Sequence, residues 1–136
     1  MNSPSNQPSC LLRTALLGNA LFSTMSALII LLAPRWALRL LGLSQDVSLR
    51  VLGFALIFFA ITLLIDARRP KVKAFDAWTA VIMDLAWVVG SGALLFIVPF
   101  STSGKWVVTL VADLVLVFAI LQFAGIRRMQ KSEQAS

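Results

Sequence analysis

Residues 77–98 read AWTAVIMDLAWVVGSGALLFIV, and Asp84 is the single ionisable side chain in the run. As a helix this stretch crosses the ~30 Å hydrocarbon core of a bilayer, which takes about 20 apolar residues. No face of such a helix is polar enough to meet water along its length. The flanking sequence repeats the pattern at about 11–33, 49–65 and 106–126, with Asp113 the only acid inside the last of these. The fold class that follows is an all-α membrane protein, an antiparallel four-helix transmembrane bundle. Its ends are a disordered tail at 1–10 and a polar tail at 129–136. The first hydrophobic stretch reads as a retained span. Thr14–Ala33 is 20 uncharged residues, longer than the ~7–15 of a signal-peptide core, and no small-x-small cleavage site follows it.

Composition narrows the chemistry. The chain has 136 residues, 59% hydrophobic and 13% charged, against about a quarter charged in soluble domains. It holds no His, no Tyr and one Cys. These absences exclude His-ligated metal, bis-His haem, a His base, an internal disulfide and an Fe–S cluster. No catalytic residue, metal site or cofactor is expected.

The net charge is +6. The basic residues flank the spans rather than forming the stripe that nucleic acid requires, so membrane lipids and not nucleic acid are the expected partner. Arg13, Arg68, Arg69, Lys71, Lys73, Arg127, Arg128 and Lys131 fall on one side, and Arg35, Arg39, Arg50 and Lys105 on the other. The more basic side is expected to be cytoplasmic, with both termini there, in a bacterial inner membrane.

The connections are short. In 34–48, PRWALRLLGLSQDVS, Arg35 and Arg39 share one helical face, and Trp36, Leu40 and Leu43 lie on another. A short interfacial helix and an irregular loop dipping into lipid are both open. The 66–76 connection carries Arg68, Arg69, Lys71 and Lys73 around Pro70, and 99–105 is turn-rich.

Two tandem helical hairpins are a further expectation. An offset of 65 aligns Asn19 with Asp84, Ser26 with Ser91 and Pro34 with Pro99, and an offset of 59 aligns Arg68-Arg69 with Arg127-Arg128. The alternative is that apolar helices ending in basic residues resemble one another without common descent.

An ionisable group near mid-bilayer costs ~2.5–3.5 kcal/mol to insert, so Asp84 and Asp113 must avoid lipid. Asp84, Trp87 and Ser91 share one helical face, as do Asn19, Ser23 and Ser26. Asn19 and Asp84 lie at matching depth, so the two faces are expected to meet through an Asn–Asp hydrogen bond. That bond reads either as packing glue or as part of a polar, ion or ligand site at Asn19, Ser23, Asp84, Trp87 and Ser91. Two ion pairs are also expected, Arg50 with Asp113 and Arg13 with Asp84. Gln122 faces away from Asp113. Gly90-Ser91-Gly92 permits a kink or tight crossing. Trp36, Trp78 and Trp106 read as interfacial anchors.

Asn19 and Ser23, LGLS at 41–44, LRVLG at 49–53, ARR at 67–69, Asp84 with Trp87 and Ser91, and FAILQ at 118–122 resemble a loose group of small bacterial four-helix membrane proteins, most without an assigned function. A more distant likeness, in helix count and size alone, is to DoxX-like proteins, some of which are linked to quinone-dependent sulfur oxidation. The resemblance carries over no active-site residue. Three functions are consistent with these readings. The first is a non-enzymatic accessory subunit of a larger membrane complex or a homo-oligomer. The second is a small transporter or ion-conducting oligomer using Asp84, Asn19 and Asp113. The third is a lipid- or quinone-binding protein.

Overall fold

The computed structural model describes residues 7–44 and 47–135; residues 1–6 of the expected tail, Gln45 and Asp46 of the first connection, and Ser136 lie outside it. Every regular element among the described residues is helical: α1 Gln7–Leu32, α2 Pro34–Leu41, α3 Val47–Arg68, α4 Ala74–Ile97 and α5 Thr102–Ala135. Of these, α1, α3, α4 and α5 are long and apolar enough to cross a membrane.

The helices overrun their expected ends. α1 begins at Gln7, inside the stretch expected to be disordered; Pro8 fits there because the first helical turn has no intrahelical use for its missing N–H. α5 runs to Ala135 and covers most of the expected polar tail. Ile126 and Met129, 0% and 8% exposed, continue its buried face past the apolar run. α4 starts at Ala74 with Asp76 in its first turn, where a carboxylate complements the helix dipole.

α1 lies against both α3 and α5, and α5 against α4, whereas α3 and α4 scarcely touch. At one end of the bundle, Arg13 Nη2 donates to the Pro70 carbonyl at 2.6 Å. Lys71 reaches Glu133 at 3.6 Å. Arg69 bridges the helix ends through Asp66 at 3.7 Å and Asp76 at 2.8 Å. The densest core sits at this end: Leu12, Leu16, Leu63 and Ile126 are closed off, with Val72, Ala77 and Val81 around them. Trp78 meets Phe123 edge-to-face, centroids 5.6 Å apart. Between helices in lipid the hydrophobic effect adds little, so close packing and hydrogen bonds hold this end.

At the other end α2 is seated on the start of α5. Gly42 terminates α2 with φ of 73°, a left-handed conformation that glycine adopts without strain. Its neighbour Leu43 returns an N–H to the Leu38 carbonyl at 2.9 Å. Ser101 N donates to the Leu41 carbonyl at 3.1 Å and Ser101 Oγ to the Leu40 carbonyl at 3.0 Å. The same Oγ accepts from Gly104 N at 3.0 Å, so one serine both caps α5 and holds α2. Gly104 makes the approach possible, since a Cβ there would lie 2.5 Å from the Leu41 carbonyl oxygen.

One expectation is corrected. A Cβ added at Gly90 or Gly92 would meet nothing within 4 Å, so neither glycine forms a tight crossing. α1 pairs with α3 and α4 with α5 as hairpins, but α4 does not pack on α3 as α1 packs on α5, which two-fold symmetry between the hairpins would require. The departure from that symmetry opens a space between α3 and α4.

Candidate functional site

The site begins with an amide. Asn19 and Ser23 are one turn apart on α1, and Ser23 Oγ donates to Asn19 Oδ1 at 3.4 Å. That bond turns Asn19 Nδ2 toward α4, where it donates to Asp84 Oδ2 at 2.7 Å. Gln122 Nε2, from α5, donates to the same oxygen at 3.0 Å. Asn19, Asp84 and Gln122 are 1%, 1% and 0% exposed. One carboxylate oxygen therefore ties three helices together, and it supplies the only hydrogen bond that joins α1 to α4 among the described residues. Lipid offers no donors to a carboxylate, so an inward acid must find them in the protein.

Two buried atoms in this region have no partner among the described residues: Trp87 Nε1 and Gln122 Oε1. A buried polar group left unpaired costs ~1–3 kcal/mol.

Beside the network lies a cavity of about 370 Å³, within the ~300–1,000 Å³ of small-molecule sites. It occupies the space where α3 and α4 part. Trp36, Ala37, Leu40 and Leu41 of α2 close one end, and Asn19 and Asp84 stand at the other. Along α1 it extends from Asn19 to Ile30, about 16 Å of helix rise. The wall is overwhelmingly apolar, with aromatic surface from Phe22, Phe59 and Trp87. Among the described residues that line it, Asp84 is the only ionisable one.

The structure brings Asn19, Ser23, Asp84, Trp87 and Ser91 together on this cavity. It does not bring Arg50 and Asp113 together. The ion pairs among the described residues are Arg69–Asp66, Arg69–Asp76 and Lys71–Glu133, and α3, which carries Arg50, packs on α1 rather than on α5. Asp113 is exposed on the face of α5 opposite the buried Gln122. Arg13 does not pair with Asp84 either. It lies about 9 Å of helix rise before Asn19, and its guanidinium stays at the rim on the Pro70 carbonyl.

Gln122 is the site residue that sequence reasoning missed. Its angle to Asp113 was legible, but its pairing with Asp84 requires knowing that α5 packs beside α4. The signal was the residue itself: a carboxamide inside an apolar helix needs a partner as an acid does.

The polar cluster consists of one carboxylate, two carboxamides and a serine hydroxyl. The chemical capacity of the site is to enclose an apolar molecule at membrane depth beside this fixed polar cluster. No family model, curated protein or solved structure matches the chain.

Proposed function

We propose that this small multi-pass membrane protein holds an apolar or amphipathic small molecule inside the bilayer, in the cavity between α1, α3, α4 and α5. The observation that carries the reading is the cavity itself: about 370 Å³ of apolar-walled space, kept open by a polar network that anchors α1, α4 and α5 but leaves α3 apart from α4. This places the lipid- or quinone-binding role ahead of the accessory-subunit and transport roles. Against a carrier role for Asp84, its Oδ2 is already occupied by two amides at the end of the cavity away from α2.

The setting belongs to the same proposal. The spans alternate in direction, α2 lies at the membrane interface, and both termini face the cytoplasm of a bacterium. The basic residues around Pro70 and at the end of α5 support that orientation.

Native mass spectrometry of the full chain, extracted gently with its own lipids, tests the reading. One small molecule per chain is expected, and Val111→Phe and Ala55→Phe, both at cavity-lining positions, are expected to lose it without loss of helicity. Retention undiminished by both substitutions overturns the proposal.

A second reading, association with another copy or with a larger membrane complex, is favoured by Asp113. Its side chain is exposed among Leu110, Leu114 and Val117, and a carboxylate facing lipid there is costly unless another helix covers it.

A further inference from the structure

We infer that the occupant of the cavity is the acyl chain of a lipid with an anionic head, drawn from the leaflet on the α2 side, its head on Arg35 and Arg39. The inference rests on the ligand-holding reading above and specifies the ligand.

Depth comes first. The cavity extends about 16 Å along α1, close to half of the ~30 Å hydrocarbon core. It begins at α2 and stops at Asn19 and Asp84, so it has the depth of one leaflet. A chain extending downward from the interface fills it and ends at the polar cluster. A compact polar solute has no use for such a wall.

Access comes second. α3 and α4 scarcely touch, and the cavity is lined from both, by Leu52 and Leu56 on one side and Met83 and Trp87 on the other. A chain already in the bilayer enters sideways between them without crossing water.

The head comes third. α2 is strongly amphipathic. Trp36, Ala37, Leu40 and Leu41 turn to the cavity, while Arg35 and Arg39, one turn apart, are exposed on the other side of the helix. The helix that closes the chain site therefore carries two exposed guanidinium groups at the same end of the bundle, which suit a phosphate or carboxylate. A neutral headgroup would make no use of them. Ser101 and Gly104 fix α2 against α5, so the arginines are carried on a held element rather than a loose loop.

The test uses the full chain in mild detergent, equilibrated with equal amounts of phosphatidylglycerol and phosphatidylcholine of identical chains and read by native mass spectrometry. One lipid per chain is expected, with phosphatidylglycerol favoured by roughly tenfold or more, the scale of two basic side chains at a membrane surface. Arg35→Gln with Arg39→Gln should keep one lipid per chain and bring the two headgroups to near parity. Arg35→Lys with Arg39→Lys should keep most of the preference. In a parallel arm, oleate that displaces phosphatidylglycerol with the same arginine dependence identifies a free fatty acid as the source of the anionic head; no displacement identifies the phospholipid. Retention of one lipid without headgroup preference, or a preference that survives the glutamine pair, overturns this inference and leaves the cavity reading standing. No retained lipid, or retention unchanged by Val111→Phe and Ala55→Phe, overturns both.

Discussion

Asp84→Ala removes the single acceptor on which Asn19 and Gln122 converge. Two interhelical hydrogen bonds are lost, each worth about 0.6–1.7 kcal/mol between membrane helices. Two buried amides are also left short of an acceptor, at up to about 1–3 kcal/mol each before relaxation. Because Asn19 borders the cavity and can turn, relaxation recovers part of this, and the expected loss of stability is about 2–4 kcal/mol. Asp84→Asn keeps one acceptor oxygen and should lose about half as much. The decisive companion is the triple substitution Asn19→Leu, Asp84→Leu and Gln122→Leu. Replacing all partners by apolar groups removes the unsatisfied amides, so it should recover to within about 1 kcal/mol of the parent. Reversible unfolding in mixed lipid and detergent micelles, or steric trapping in bicelles, gives the free energies. The reasoning is refuted if Asp84→Ala costs less than about 0.5 kcal/mol, or if the triple variant is no more stable than the single one.

Other outcomes follow from separate contacts. Gly104→Val forces side-chain atoms against the Leu41 backbone and should cost about 1–3 kcal/mol as an overpacked contact, with faster proteolysis of the 34–48 segment as its local sign. Arg69→Ala breaks the contacts to Asp66 and Asp76; the arginine is 38% exposed, so no more than about 1 kcal/mol is expected in the same unfolding assay. Asp113→Leu removes the exposed carboxylate of α5. If another helix covers that face, the substitution should shift the oligomeric state seen by native mass spectrometry, whereas an unchanged state would count against association there.

The long helices were legible because the membrane imposes one simple requirement, an apolar run of sufficient length, and 77–98 meets it with Asp84 as its single ionisable residue. Asn19 and Asp84 were legible for a related reason. Depth along a span is countable from its end, and two polar residues at equal depth have few alternatives to each other. The order of packing was not legible. Lipid-facing and helix-facing apolar residues are chemically alike, so the sequence of α5 does not disclose that it packs against α4 and α1 while α3 packs on α1. Gln122 and the cavity both depend on that order. Arg13 was misjudged because an arginine at a span's end has a nearer choice than a buried acid: the Pro70 carbonyl, at the rim, left it hydrated. The helical extent of α5 past residue 128 depends on the buried Met129, which the surrounding charged residues conceal.

The most direct measurement is an experimental structure of the full chain in a lipid nanodisc, at a resolution that shows acyl chains. Elongated density running from the α2 end of the cavity down to Asp84, between α3 and α4, is the expected result. A bundle in which α3 closes onto α4, with protein side chains filling the space, would contradict the proposal that this protein holds a molecule within the membrane.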